Sequence, residues 1–199
     1  MILLNYLKNY CIVKNNIKLY IVFGKAGSGK DFVSDILAHQ YGYFIYQADR
    51  FLIQSYWDAL NNNQSPSREV RDNQARVHIE NIYNYNLDIP LVINWVCLQE
   101  SQRLILKKAF PQAVFIYVNT TDEIIKKRLK KERFMHNITS KQAFSINKEF
   151  ELPTFYDLEL DNNSTESHLL QQIMRNIKKE GVKIKYDEKH KQDRDTIYN

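Results

Sequence analysis

Leu19-Tyr20-Ile21-Val22-Phe23-Gly24-Lys25-Ala26-Gly27-Ser28-Gly29-Lys30-Asp31 sets a short apolar run, a glycine-rich turn and a lysine in immediate succession. The run predicts a strand buried on both faces. From Lys30 to Tyr41, the residues Phe32, Val33, Ile36 and Leu37 recur at the spacing of a core-facing helical stripe. Gly24–Lys30 satisfies G-x-x-x-x-G-K, and it follows a strand and opens a helix, the context in which that pattern has a mechanism. Small residues let the backbone curl until successive N–H groups face a phosphate, and the helix N-terminus adds partial positive charge. Gly24, Lys25, Ala26, Gly27, Ser28, Gly29 and Lys30 are therefore the candidates for holding a nucleoside triphosphate, with Lys30 reaching the β- and γ-phosphates. A turn that merely linked strand to helix would have no need of that lysine. Asp31 stands where the commonest form has Ser or Thr. Its carboxylate can hold Mg²⁺ directly or through water, and it equally suits the first turn of a helix, where negative charge is favourable.

Outward from this loop, apolar runs alternate with amphipathic stretches, the order that builds parallel strands joined by crossover helices. Strands are expected at 43–46, 91–96, 114–118 and 157–160, and helices at 49–60, 68–85, 99–109, 121–133 and 164–177. The fold class this implies is α/β: three αβα layers around a central parallel five-stranded sheet, with a helical lid. Residues 1–17 read as an N-terminal extension, 18–180 as one domain with a lid at about 130–150, and 181–199 as a charged tail.

Composition bounds the partners. The chain has 28 basic and 23 acidic residues, a net charge of +5, and no long basic block. That balance suits small phosphorylated molecules as well as nucleic acid, and no DNA- or RNA-reading motif is present, so no nucleic-acid partner is expected. Cys11 and Cys97 are too few for a disulfide framework and have no zinc-site spacing, which fits a reducing compartment. The N-terminus lacks signal-peptide order, and no segment approaches the roughly 18 apolar residues of a membrane span. A soluble, cytoplasmic protein with no membrane partner is expected. Nothing in the sequence sets an oligomeric state. His39, His78 and His136 have no metal spacing and read as ordinary, partly exposed residues; the aromatic residues, Trp57 and Trp95 among them, read as core.

Gly-Lys-Ala-Gly-Ser-Gly-Lys-Asp at 24–31 resembles the Gly-Lys-Asp variant of the phosphate loop in phage-type deoxynucleoside monophosphate kinases and animal-type phosphomevalonate kinases. Gln47-Ala48-Asp49-Arg50 resembles the Asp-bearing end of the second strand in dephospho-CoA kinases. Leu91–Ile105, with Gln99 and Glu100, resembles a Val-x-Arg-x-x-x-Glu segment of the phage-type enzymes, except that Cys97 replaces the Arg and Asn94 ends the strand where an acidic residue is usual. The 121–133 helix, with Arg128 and Arg133, is similar to an Arg-bearing lid, and Asp157–Asn162 to a closing Asp-x-x-x-x-Asn strand. The resemblance spans most of residues 18–177.

The resemblance implies the P-loop NTPase fold and an ATP- and Mg²⁺-dependent kinase acting on a small phosphorylated acceptor, foremost a nucleoside or deoxynucleoside monophosphate. It assigns Lys30, Asp49 and Arg128 to catalysis, Asp31 and Asp49 to Mg²⁺, Arg133 and Asn162 to ATP, and Arg50, Arg76 and Glu100 to the acceptor. Other readings stay open: a dephospho-CoA or other metabolite kinase, or a non-catalytic nucleotide-binding module in which Asn94 and Cys97 mark lost chemistry. Arg128 with Glu132, Arg68 with Asp72, and Asp72 with Arg76 are also ordinary i,i+4 surface pairs.

Overall fold

Strand β1, Leu19–Phe23, is buried along its whole length and forms the middle of the sheet. Alternate residues serve two cores. Leu19, Ile21 and Phe23 pack with Ile79, Ile82, Leu106 and Phe110, while Tyr20 and Val22 pack with Val33, Leu37, Leu169 and Ile173. The computed structural model describes residues 18–62, 64–85, 90–131 and 139–177. After β1 come α1 (Lys30–Tyr41), β2 (Phe44–Gln47), a 3₁₀ turn (Ala48–Arg50), α2 (Gln54–Asn61), α3 (Arg68–Asn84), β3 (Leu91–Trp95), α4 (Glu100–Ala109), β4 (Val114–Asn119), α5 (Asp122–Lys131), α6 (Ser140–Asn147), β5 (Leu158–Asp161) and α7 (Glu166–Asn176). Helices α3 and α4 cover one face of the sheet, α1 and α7 the other.

All strand pairings are parallel, in the order β2-β3-β1-β4-β5. From β1 the chain builds outward to β2 and back to β3, then crosses to β4 and β5. The reversal makes the carboxyl end of β1 a topological switch point, the place where open α/β sheets bind ligands. The glycine loop leaves the sheet at that point, between the ends of β3 and β4. This is the expected P-loop NTPase fold of three αβα layers around five parallel strands.

Three local expectations need correction. The helix read at 49–60 is a 3₁₀ turn, a break and a shorter helix, because the Gln74 side chain satisfies the backbone of the break. Its Oε1 accepts from the Ile53 N–H at 2.7 Å and its Nε2 donates to the Phe51 carbonyl at 2.9 Å. Strand β2 starts one residue later than expected: Gly42, at φ 73°, closes α1 in the left-handed conformation and Tyr43 still bonds back to the Leu37 carbonyl. Helix α6 lies inside the region expected to be a helical lid, but its bounds were not read from the sequence. It opens on a Thr139–Gln142 capping box, each side chain accepting from the other's backbone N–H. The N-terminal extension, the charged tail, Cys11, Arg133 and His136 lie outside the described residues. Among the described residues no helix is long and apolar enough to cross a membrane.

Candidate functional site

The loop is held open by side chains that grip it from outside. Thr120 Oγ1, Asn162 Nδ2 and Arg128 Nη1 converge on the Ser28 carbonyl at 2.9, 2.7 and 3.2 Å. A trans peptide directs its C=O and the next N–H oppositely, so pulling this oxygen outward turns the Gly29 amide to the inner side. Gly29 itself has φ 94°, and a Cβ there would lie 2.2 Å from Asn162 Nδ2. Only glycine meets both conditions. At Gly24 a Cβ would lie 2.7 Å from the Val118 carbonyl oxygen, so the first glycine is required by the close passage of β4.

Asn147, the last residue of α6, makes a two-point contact with the loop: its Oδ1 accepts from the Ala26 N–H at 2.8 Å and its Nδ2 donates to the Ala26 carbonyl at 2.9 Å. Ala26 also packs in a small apolar cluster with Ile125, Leu129 and Ala143, so α5 and α6 sit directly on the loop. Lys25 pairs with Asp122 at the start of α5, 2.6 Å apart.

Lys30 begins α1 and is 5% exposed, its ammonium 3.7 Å from Asp31 Oδ2. Asp31 Oδ1 accepts from Asn94 Nδ2 at 2.6 Å, and the other hydrogen of that amide goes to Gln47 Oε1 at 2.8 Å. The start of α1, β3 and the end of β2 are thus joined by a chain of side chains, with Asp49 two residues beyond Gln47 on the 3₁₀ turn. Asp49 is half-buried and lies within electrostatic reach of the Tyr56 hydroxyl, which burial pushes up to about 12. Among the described residues no three His, Cys, Asp or Glu side chains form a metal cluster. The oxygen donors present nevertheless fit Mg²⁺ arriving with a nucleotide: an accessible Asp31 carboxylate and a buried Asn94 Oδ1 that has no hydrogen-bond partner. Such an ion draws most of its ligands from phosphate and water.

The loop residues, Lys30, Asp31, Arg128 and Asn162 are brought together; the acceptor-side residues are arranged differently from expectation. Arg128 contacts the Gly27 and Ser28 carbonyls and both the carbonyl and Oδ1 of Asn162, so in this structure it braces the loop from its outer side. Arg50 is exposed beside the 3₁₀ turn. Arg76 is exposed on α3, well round the helix from the buried stripe of Arg71, Gln74, Ala75 and His78, and does not join the cluster. Glu100 is taken up by structure instead of facing open space: Oε2 accepts from Arg103 Nε at 2.6 Å and Oε1 accepts from Thr154. Arg68 and Asp72 also depart from the expected ladder, Arg68 pairing with Glu151 and Asp72 accepting from Ser101.

Of the two buried arginines, Arg71 was among the residues the resemblance sets near the acceptor, while Arg103 carried no such signal. Arg103, fully buried, donates to the carbonyls of Cys97, Leu98 and Glu151 and lies over the Phe23 and Phe150 rings. It occupies the space beside Cys97, where the related motif carries its arginine. Burial pushes the Cys97 thiol far up, so it is no nucleophile. Arg71, also fully buried, donates to Ser65 and Glu149, and its Nε has no partner. His78 is wholly buried and not partly exposed, because it falls on the inner stripe of α3. Its ring meets Tyr46 and Gln74.

With this geometry in view, the known proteins of similar structure are informative. A sugar kinase from Janibacter sp. aligns with TM-score 0.69 and 20% identity over 80% of this chain and 94% of its own. A gluconokinase from Sinorhizobium meliloti gives 0.65 and 17% over 79% and 90%. A deoxyadenosine kinase from M. mycoides, solved with the products dCMP and dCDP, gives 0.54 and 13% over 79% and 97%. At these identities the likeness is one of fold. No curated protein matches the sequence. A family model described as an AAA domain matches residues 21–148, from the core of β1 through α6 and so over the loop and every brace on it except Asn162. The chain belongs to that AAA-domain family of P-loop proteins.

Proposed function

We propose that this chain is an ATP-dependent phosphotransferase that moves the γ-phosphoryl group to a small phosphorylated acceptor, foremost a nucleoside or deoxynucleoside monophosphate. The observation that carries this reading is the braced Gly24–Lys30 loop at the switch point of the sheet, with the Lys30 ammonium held between it and Asp31. Phosphoryl transfer asks for positioning and positive charge more than for covalent chemistry. The inner amides and Lys30 hold the β- and γ-phosphates. Asp31 and Asp49 are the residues that would hold Mg²⁺, which supplies charge neutralisation across the β- and γ-oxygens when bound. Arg128 and Asn162 keep the loop in its binding shape, Arg128 acting on the phosphates through the backbone it braces. Arg133 is assigned to the lid's contact with ATP. Arg50 is the acceptor-side cation, a guanidinium being suited to bidentate contact with phosphate, while the fully buried Arg71 is taken up by Ser65 and Glu149.

The fold alone does not choose the acceptor, since acceptor choice lies in a few pocket residues. The deciding experiment is Mg²⁺-ATP turnover across nucleoside monophosphates, deoxynucleoside monophosphates, dephospho-CoA and gluconate. Acceptor-dependent ADP release is expected with a monophosphate, and Lys30→Ala is expected to lower it by about 10²–10³-fold, as for loss of a principal transition-state charge contact. Release only with dephospho-CoA or gluconate would reassign the acceptor. The second reading, a nucleotide-binding module without turnover, is favoured by Asn94 in place of an acidic strand end; tight ATP binding with no acceptor-dependent release would establish it.

A further inference from the structure

In P-loop nucleotide hydrolases the loop supplies a Ser or Thr hydroxyl and a neighbouring strand supplies an Asp, and together they hold Mg²⁺. Here the two residue types are exchanged. The carboxylate is on the loop side, Asp31 in the first turn of α1, and the hydrogen-bond donor is on the strand, Asn94 near the end of β3. β3 pairs directly with β1, Val22 standing opposite Asn94, so the residue is on the strand adjoining the one that feeds the loop. Asn94 Nδ2 donates to Asp31 Oδ1 at 2.6 Å.

We propose that Asp31 and Asn94 form a polarity-reversed metal-positioning pair, in which Asn94 aims the Asp31 carboxylate at the nucleotide-bound Mg²⁺ and so replaces the acidic strand residue without loss of function. The inference deepens the phosphotransferase reading and rests on it. The exchange conserves what the site needs: one carboxylate, hence one negative charge, and one hydrogen bond between loop and strand. The amide's orientation is locked from both sides. Its two hydrogens go to Asp31 Oδ1 and Gln47 Oε1, and a flipped amide would set its oxygen against a carboxylate oxygen. Asn94 is 1% exposed, and its Oδ1 is left buried without a partner. A buried acceptor in that state is costly. A water on the bound cation is a donor of the kind that would satisfy it, which gives Asn94 a second means of favouring the metal-loaded state. Cys97 has no part in this pair; it is buried, and the space beside it is filled by Arg103.

The test is a swap, read by binding of a non-hydrolysable ATP analogue with Mg²⁺ and with EDTA, each variant first checked for folding by thermal melting. Asp31→Ser removes the only carboxylate of the pair; Asn94→Asp sets two carboxylates against each other with no donor between them. Each is expected to weaken the Mg²⁺-dependent part of binding by about 10–100-fold, the usual range for partners of metal ligands, and to leave the EDTA value nearly unchanged. The double variant Asp31→Ser/Asn94→Asp rebuilds the common arrangement and is expected to recover to within about threefold of the parent. Asn94→Ala adds no charge and covers the case that Asn94→Asp fails to fold; it should lose Mg²⁺-dependent affinity alone. Single losses that add in the double variant, or an Asn94→Ala protein with the parent's Mg²⁺ dependence, would overturn the pairing while leaving the nucleotide reading intact. A parent protein that binds the analogue in neither condition would overturn both.

Discussion

The two rims of the crevice are built on different principles. On the loop rim the chain's own backbone forms the surface, and side chains from the β4–α5 segment, α6 and the residue after β5 hold it: Thr120, Arg128, Asn147 and Asn162 all end on loop peptide groups. On the opposite rim the structure is held by side chains, and it stands on two buried arginines, Arg71 and Arg103, whose partners are Ser65, the Cys97 and Leu98 carbonyls before α4, Glu100 at its start, and Glu149 and Glu151 after α6. The first design tolerates change in the braces better than in the glycines. The second concentrates risk in single charged residues.

The largest expected effect follows from that concentration. Arg103→Met would leave three buried carbonyls and the mostly buried Glu100 carboxylate without their cation. The expected loss is about 3–5 kcal/mol of unfolding free energy, measured by denaturant titration. Adding Glu100→Gln should return part of it, because the uncompensated charge is then gone. If Arg103→Met costs no more than an exposed substitution, about 0.5 kcal/mol or less, the opposite rim does not rest on this residue.

Asn147→Ala probes the other rim, and a smaller effect of a different kind is expected. It removes both contacts to Ala26, at 2.8 and 2.9 Å, from a half-buried site that water can partly re-satisfy. Nucleotide affinity should fall about tenfold, or about 1.4 kcal/mol, with little change in melting temperature. Asn147→Asp keeps the acceptor for the Ala26 N–H and loses the donor, so it should lie between. A large drop in melting temperature with unchanged affinity would mean that α6 supports the fold and not the loop.

The same contrast explains how much was legible in the sequence. β1, the loop and α1 could be read with their boundaries because strand burial, turn chemistry and helical periodicity are local, and Gly24, Gly27, Gly29 and Lys30 lie within seven consecutive residues. The succession of strands and helices along the chain followed from alternation of apolar runs and amphipathic stretches, whereas the order of strands in the sheet came only from the structure. Arg103 and Asn147 were missed because their partners are far away in the chain, the Arg103–Glu151 contact spanning 48 residues and Asn147–Ala26 spanning 121. A faint signal existed for each: Glu100 and Arg103 stand at i,i+3, and Thr139 with Gln142 marks the start of the helix that ends at Asn147. The break within 49–60 was hidden for the same reason, since the side chain that permits it, Gln74, belongs to a later helix.

The last effect, seen only on acidification, concerns His78 on the inner stripe of α3. Burial pushes its pKa down to about 3, from an ordinary 6.5. The Gln74 amide, oriented by the Ile53 N–H, presents its nitrogen to His78 Nε2 at 3.1 Å, so the ring's proton belongs on Nδ1, where it reaches the Tyr46 hydroxyl at 2.9 Å. A second proton on Nε2 would face a donor. Tyr46, pushed up to about 12 mainly by burial, stays neutral throughout. The unfolded chain therefore takes up a proton at His78 below about pH 6.5 while the folded chain does not. His78 costs no stability above that pH, and stability falls as the pH drops toward the folded value, by up to about 1.4 kcal/mol per pH unit. Denaturant titrations at pH 7, 6 and 5 should show a shallower decline for His78→Gln than for the parent. Equal slopes would mean that the buried imidazole accepts its second proton in place, and that water reaches the Tyr46–His78–Gln74 chain.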